Sequence, residues 1–195
     1  TNSFGAGGND AWLVKTDSSG NKEWNMTLGS VNDDGTHWIV RTGDLGCAVA
    51  GYTYSYGAGS GDAWLIKLAG PSPRTWIVDD DGPADFHTIQ EAINAASDGD
   101  TILVRNGTYS SIQVNKSLTL KGENKYAVII DGGGGDSGNG VLANNVKISR
   151  FTIQNEGCPV YIDGYVNITV ADNILVNNYQ GIRLVNTSGD MITSN

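Results

Sequence analysis

The stretch that decides the fold of the larger part of the chain is TWIVDDDGPADFHTIQEAINAASDGDTILVRNGTY, residues Thr75–Tyr109. It opens on Thr75–Val78, an apolar and β-branched run that predicts a strand. Apolar side chains then recur at the spacing of one helical face, which predicts a helix over about residues 86–97 with Asp85 capping its start. Thr101–Val104 returns to the strand pattern. This order of strand, helix and strand is followed only by short strands.

The residues after Tyr109 repeat themselves. Short apolar runs alternate with turns rich in Asn and Gly, and Ile148, Ile168 and Ile192 are expected to occupy corresponding places in successive coils. Coils of this length with three short strands each predict a right-handed parallel β-helix of about four to five coils. Asn155 and Asn178 fall at the bends, where asparagine is expected to bond its own backbone and to adopt the left-handed conformation.

A resemblance supports this reading. The stretch Thr75–Tyr109 resembles the opening of pectin-lyase-like β-helix proteins and, more narrowly, the NosD-like and archaeal surface-layer group. The resemblance covers Arg74–Asn195 and implies that the predicted helix caps the N-terminal end of the solenoid. It does not assign an activity, because this fold hosts lyases, hydrolases, adhesins and structural proteins.

The first part of the chain contains a different repeat. GAGGNDAWLVK at Gly5–Lys15 recurs as GAGSGDAWLIK at Gly57–Lys67, with eight of eleven positions identical. Four strand patterns separate Trp12 from Trp64, and a four-stranded unit of this length predicts a propeller-type blade followed by one extra strand. We therefore expect an all-β chain with a blade over residues 1–70, a Pro-containing linker over 71–74 and the β-helix over 75–195.

This repeat also resembles a known one. The letters D-A-W-L-I/V-K-T-D, followed by D-D-G and A-V-A-G-Y-T-Y-S, resemble a repeat of large archaeal and bacterial surface proteins. There it recurs in tandem and is taken to form β-propellers. The match covers Thr1–Ala69, which holds one unit and the opening strand of another, too few to close a ring.

Charge and composition limit the partners. The net charge of −9 argues against nucleic acid and anionic membranes as partners. Cys47 and Cys158 lie in different halves and are expected to be unpaired rather than bridged. No segment is long and apolar enough to span a membrane. Five sequons for N-glycosylation, open to either chance or use on a secreted protein, stand at Asn25, Asn106, Asn115, Asn167 and Asn186.

Candidate chemical groups are few. A lyase of this fold needs acidic calcium ligands and a basic residue in one groove, and the candidates are Asp131, Asp163, Asp172, Arg150 and Arg183. Asp163 and Arg183 are spaced by about one predicted coil, which favours a stacked surface ion pair instead. No catalytic residue is therefore assigned, and an enzyme is the less favoured reading.

Metal and sugar contacts are the other candidates. The run Asp79, Asp80 and Asp81 offers a calcium site, although a solvated turn is the simpler reading, as it is for Asp33-Asp34. No other cofactor is expected, and the two histidines, in separate halves, disfavour copper. The residues that offer carbohydrate contact are Trp12, Trp24, Trp38, Trp64 and Arg183, although packing within the blade also accounts for the four tryptophans.

These observations favour an extracellular structural or adhesive surface protein that contacts carbohydrate. The interrupted repeats at both ends predict self-association through unpaired strand edges, as in a filament or surface lattice. The alternatives are a polysaccharide lyase or glycoside hydrolase module, and a pure glycan-binding module.

Overall fold

The computed structural model describes residues 1, 3–16, 19–70, 72–134 and 138–195. The chain folds as two compact units, residues 1–71 and 72–195. Both are built almost entirely from strands, and the described residues contain a single α-helix. The predicted linker at 71–74 lies partly outside the described residues.

The described residues of the first unit form five antiparallel strands. They are β1 (Ala11–Thr16), β2 (Lys22–Leu28), β3 (Asp34–Arg41), β4 (Cys47–Thr53) and β5 (Asp62–Leu68). β1 pairs with β2, while β3, β4 and β5 form a separate three-stranded sheet in that order. The structure thus divides the strands of the predicted blade between two sheets. The second copy of the repeated motif forms β5, which pairs along its whole length with β4.

The first unit buries few apolar side chains. Within its described residues only Ala11 and Val49 are buried hydrophobic residues. Large side chains such as Trp38 and Leu65 lie mostly in solvent. Hydrophobic burial therefore contributes little to this unit, and the hydrogen bonds of its loops carry a larger share of the structure.

The second unit is a parallel β-solenoid of about five turns. Its elements are β6 (Thr75–Val78), α1 (Ile89–Ala95), β7 (Thr101–Val104), β8 (Gly107–Ser110), β9 (Gln113–Val114), β10 (Thr119–Gly122), β11 (Val128–Asp131), β12 (Gly138–Val141), β13 (Lys147–Ser149), β14 (Thr152–Gln154), β15 (Cys158–Asp163), β16 (Thr169–Ala171), β17 (Ile174–Val176), β18 (Ile182–Val185) and β19 (Met191–Thr193). Each coil adds one strand to each of three parallel sheets. The predicted parallel β-helix is therefore confirmed.

The register of the coils differs from the predicted one. Ile148 pairs with Val170, and Val170 pairs with Ile192, so both steps have the same length. The predicted alignment of Ile148 with Ile168 is wrong, because the true partner lies two positions further along the chain. Inward side chains from successive coils stack into one continuous core, in which Phe151 is the largest fully buried side chain.

Asparagine side chains join one coil to the next. Asn173 Oδ1 accepts from Phe151 N at 3.0 Å, and its Nδ2 donates to Ile148 O at 3.2 Å. Asn178 makes the same kind of bond, accepting from Glu156 N at 3.0 Å. The predicted role of Asn155 in the left-handed region is met, with φ of 55°. For Asn178 the prediction is wrong, because its neighbour Asn177 takes that conformation and Asn178 bonds the backbone of another coil.

Helix α1 begins later than predicted. Its N-cap is Thr88, whose side chain accepts from Glu91 N while Glu91 accepts from Thr88 N, a reciprocal capping box. Asp85 does not cap the helix and instead accepts from Ile77 N at 2.8 Å. At the other end, Lys116 Nζ donates to the carbonyl of Ala96 at 2.7 Å and to two further carbonyls of the last turn. That positive charge suits the negative end of the helix.

The cysteines and the membrane-spanning potential of the helix are two further features on which the sequence makes a prediction. Cys47 and Cys158 are both free thiols, as predicted. Among the described residues, no helix combines the length and the hydrophobicity needed to cross a membrane.

Candidate functional site

One outward-facing row of residues crosses the sheet formed by β9, β12, β15 and β18. Gln113 is in register with Gly140, Gly140 with Tyr161, and Tyr161 with Arg183. Their strand neighbours Val114, Val141 and Ile162 are buried, because side chains alternate between the two faces of a strand. The row therefore faces solvent as a line of polar and aromatic groups running along the solenoid axis.

Gly140 leaves room for Gln113 within this row. A Cβ at Gly140 would collide with Gln113 Oε1, so the amide of Gln113 lies over the glycine. Gln113 Nε2 donates to Gly138 O at 3.1 Å, which fixes the side chain in that position. The amide is thus held flat against the sheet at one end of the row.

Arg183 lies over the ring of Tyr161. Its Cζ is 5.4 Å from the ring centroid, the geometry of a cation–π contact. The Tyr161 hydroxyl donates to Asp163 Oδ2 at 3.1 Å, and this hydrogen bond to a carboxylate, with partial burial, raises the pKa of Tyr161. Arg183 forms no ion pair with a carboxylate anywhere in the described part of the chain. The predicted Asp163–Arg183 pair is therefore absent, and Asp163 is in register with Val185 instead.

The row forms one side of a shallow groove that encloses about 440 Å³. Tyr179 and Gln180 line it from the turn before β18, together with Leu142 and Cys158. Tyr179 is 89% exposed. Its backbone is nevertheless fixed, because Tyr179 N donates to Glu156 O at 3.0 Å. The groove thus presents an exposed aromatic ring on a rigid support.

The chemistry of this groove suits a sugar chain. Aromatic faces stack on the apolar faces of sugar rings, and amide and guanidinium groups bind hydroxyl and carboxylate groups. The Arg183 guanidinium keeps its donors available, since its contact with Tyr161 uses the face of the ring rather than an acceptor atom. We call this surface, made of Gln113, Leu142, Tyr161, Tyr179 and Arg183, the tyrosine groove.

The predicted sugar-contacting tryptophans lie elsewhere. Trp12 and Trp24 are on the β1–β2 hairpin, and Trp38 and Trp64 are on the three-stranded sheet of the first unit. Trp12 stacks on Phe4 with ring centroids 5.1 Å apart. Of the five candidates, the structure brings only Arg183 into the tyrosine groove. Carbohydrate contact by the tryptophans stays a prediction.

The structure joins two of the candidate lyase residues through their backbones, with Arg150 N donating to Asp172 O at 3.2 Å, but it gathers no acidic cluster among the described candidates. Asp131 accepts from Gln154 Nε2 at 2.8 Å, and this bond, with those from Gly133 N and Asn155, lowers the pKa of Asp131. Asp172 forms an ion pair with Lys125. Asp163 lies at the end of another sheet. These carboxylates bond their own neighbours, and none of them forms an ion pair with Arg183 in the described part of the chain.

The acidic turn Asp79–Asp81 has structural bonds. Its carboxylate oxygens lie within 4.8 Å of one another. Asp79 Oδ1 accepts from Gly82 N at 3.2 Å, and Asp80 Oδ2 accepts from Thr108 N at 3.0 Å. These bonds give Asp79 and Asp80 structural roles, and the one made by Asp80 ties the turn to β8. Calcium binding at this turn stays a prediction.

All five sequon asparagines are exposed: Asn25, Asn106, Asn115, Asn167 and Asn186. Asn167 and Asn186 have positive φ values of 60° and 50°, at turns of the solenoid. Glycan attachment at these residues stays a prediction.

A buried carboxylate lies in the turn between β14 and β15. Glu156 is 2% exposed, and its Oε1 accepts from Ser111 Oγ at 2.7 Å and from Asn139 Nδ2 at 3.2 Å. Its Oε2 has no hydrogen-bond partner among the described residues. Burial raises the pKa of Glu156 above its usual value of 4.5, since the charged form loses its hydration there.

Replacing Glu156 by glutamine tests whether burial raises the pKa of Glu156 in the folded state. Because the folded state holds the proton more tightly than the unfolded state, Glu156 lowers the stability as the pH rises from about 4.5 through its folded pKa. We expect Glu156→Gln to become more stable relative to the wild type as the pH rises from 4 to 8, because glutamine has no charged form to bury. Urea denaturation across that range measures the difference. The exposed Glu123→Gln is the control, and a difference independent of pH would contradict the assignment.

The sequence contained part of the signal for the tyrosine groove. Tyr161 and Arg183 are one coil apart and in direct register, so the correct coil length would have paired them. The steps from Gln113 to Gly140 and from Gly140 to Tyr161 differ in length from each other, because the turns between the strands differ. A repeat of constant length therefore does not predict that Gln113, Gly140 and Tyr161 lie in one row. Glu156 carries no sequence signal, since charged residues at turns are usually exposed.

Comparison with known proteins gives one relevant similarity. The chain is 36% identical over 118 residues to a cell surface glycoprotein of Methanothermus fervidus, and the match covers 59% of this chain. It covers 20% of the relative, so the chain spans about a fifth of that protein's length. No protein-family model matches the chain, and no solved structure matches it.

Proposed function

We propose that this chain is a structural and adhesive part of an extracellular cell-surface protein, and that its tyrosine groove contacts carbohydrate. The observation that carries the carbohydrate contact is the Arg183 guanidinium over Tyr161, beside the exposed ring of Tyr179. The surface location is supported by the similarity to a protein named as a cell surface glycoprotein. The exposed sequon asparagines are consistent with both parts of the proposal.

The finer assignments belong to the same proposal. The NosD-like and pectin-lyase-like relationship is supported by the parallel solenoid and by α1, which packs against β6 and β7 as an end-capping helix would. The propeller-type repeat is supported by the antiparallel pairing of its strands. Self-association as a filament or lattice is supported by the exposed apolar side chains of the first unit, such as Trp38 and Leu65.

Replacing Arg183 tests the carbohydrate contact. We expect the full chain to bind one or more members of a panel of neutral and uronate-containing oligosaccharides, measured by isothermal titration calorimetry. Arg183→Ala should weaken that binding at least tenfold, because one charge-assisted contact is worth more than about 1.4 kcal/mol. Arg183→Lys should restore binding only in part, since lysine keeps the charge but loses the planar donors.

The matched control is Arg105→Ala, which removes a solenoid arginine that lies 3.9 Å from Glu123, outside the groove. Its affinity should equal that of the wild type. If no saccharide binds the wild type, or if Arg105→Ala and Arg183→Ala weaken binding equally, the groove is not the contact. Cleavage of the oligosaccharide during the titration would instead favour the lyase or hydrolase alternative.

A further inference from the structure

Two buried carboxylates meet in the first unit, in a different unit from the tyrosine groove. Asp10 immediately precedes β1, and Asp34 is the first residue of β3; each is 2% exposed. Asp34 N donates to Asn9 O at 2.6 Å, which joins the two segments next to the carboxylates. Asp34 was expected in a solvated turn, and that expectation holds only for its exposed neighbour Asp33.

The two side chains face each other across Gly29. Asp34 Oδ2 lies 3.0 Å from the point where a Cβ of Gly29 would stand, and Asp10 Oδ1 lies even closer to that point. Any side chain at residue 29 would therefore collide with Asp10 Oδ1. Glycine at this position lets the Asp10 carboxylate approach Asp34 Oδ2.

Asp34 is held in its charged form. Its Oδ2 accepts from Ser55 Oγ at 2.6 Å and from Ser30 N at 2.8 Å, and its Oδ1 accepts from the Thr53 hydroxyl. Burial opposes ionisation, but these hydrogen bonds outweigh it and hold the pKa of Asp34 below its usual value. A negative charge therefore lies beside Gly29 at neutral pH.

Only one of the two carboxylate oxygens of Asp10 has a hydrogen-bond partner among the described residues. Its Oδ2 accepts from Ala6 N at 2.8 Å. Its Oδ1 is buried and has no hydrogen-bond partner in the described part of the chain. A buried, unpartnered carboxylate oxygen that faces a second carboxylate is costly, unless something positive lies between them.

We propose that a divalent cation, calcium in particular, binds between Asp10 and Asp34. Asp10 Oδ1 and Asp34 Oδ2 are the protein ligands that the geometry assigns, the Ser55 hydroxyl lies beside them at 2.6 Å from Asp34 Oδ2, and water completes the shell. Calcium prefers hard oxygen ligands and accepts irregular geometry with several waters. The cation offsets the charge of both carboxylates and gives Asp10 Oδ1 its missing partner.

The site would clamp three loops of the first unit. Asp10 closes the loop of residues 5–10, Gly29 opens the loop of residues 29–33 that leads into Asp34, and Ser55 belongs to the loop after β4. This unit buries few apolar side chains, so a cation bound only to the folded form would contribute much of its stability. The proposal is independent of the tyrosine groove, which lies in the other unit.

Calcium titration of the full chain after chelation tests the proposal. We expect calorimetry to show a site at pH 7 that raises the melting temperature of the first unit. Asp10→Asn should lose that site and the calcium-dependent rise. Asp62→Asn is the matched control, because Asp62 occupies the same place in the second copy of the motif, close against Gly57, with no second carboxylate described beside it. Asp81→Asn removes one carboxylate of the acidic turn and separates any binding there.

Hydrogen exchange provides a readout that needs no variant. The amides of Ala6 and Ser30 donate to the two carboxylates, so calcium should slow the exchange of both in the wild type. Unchanged exchange, or equal calcium binding by wild type and Asp10→Asn, would overturn the proposal. A proton shared by Asp10 and Asp34 would do so too, and would show as acid stabilisation of the wild type, absent in Asp10→Asn, with no response to calcium.

Discussion

Replacing Phe151 by alanine will lower the free energy of unfolding of the solenoid by about 3 to 5 kcal/mol. Phe151 is fully buried at the turn between β13 and β14, where it packs among the stacked Ile and Val side chains. The neighbouring strands are held by ladder hydrogen bonds on both sides, so they cannot close the cavity that the ring leaves. Hydrogen exchange of amides in β10, β13 and β16 measures this loss in the solenoid alone.

The control for Phe151→Ala is Tyr126→Ala, an aromatic residue of the same unit that lies mostly in solvent. It should cost less than about 0.5 kcal/mol, as surface substitutions usually do. Similar losses in the two variants would mean that the core is not packed around Phe151.

Replacing Asn173 by alanine has the second largest expected effect, a loss of about 2 to 5 kcal/mol. The variant leaves Phe151 N and Ile148 O without the side chain that bonds them. Both groups are buried, and no water replaces the lost partner without opening the coil. The same exchange experiment measures the loss, which should extend to the coils on both sides.

Asn144→Ala is the matched control for Asn173→Ala. Asn144 Oδ1 accepts from Val166 N at 2.9 Å, a bond between neighbouring coils like that of Asn173, but at an exposed position. Water replaces it there, so we expect a loss below about 1 kcal/mol. A loss as large as that of Asn173→Ala would show that burial does not set the cost of these bonds.

The solenoid could be predicted from the sequence, but its register could not. Inward Ile and Val residues recur in every coil, and this pattern is enough to identify stacked strands. A shift of two residues leaves the same apolar face inward, so Ile148 fits Ile168 as well as Val170 by pattern alone. What distinguishes the two is the set of asparagine bonds such as Asn173 to Phe151 N, which only the three-dimensional structure shows.

The candidate sites were harder to predict for a related reason. Arg183 was identified as a sugar contact from its charge, but Tyr161 becomes its neighbour only when the register is correct. In the sequence, Asp10 and Asp34 are identified only as positions in the motifs of the first-unit repeat. Their meeting across Gly29 depends on how two loops close over one another, and no residue spacing encodes that distance.

The constant register of the last coils makes the solenoid a structure that can change length in whole steps. Inserting or deleting one complete coil adds or removes one layer, about 4.8 Å along the axis. The surface residues of the remaining coils then stay in register with one another. A change of an odd number of residues within a strand turns its apolar side chains outward. A line of surface groups such as the one through Tyr161 and Arg183 can therefore be extended by duplication without redesign of the core.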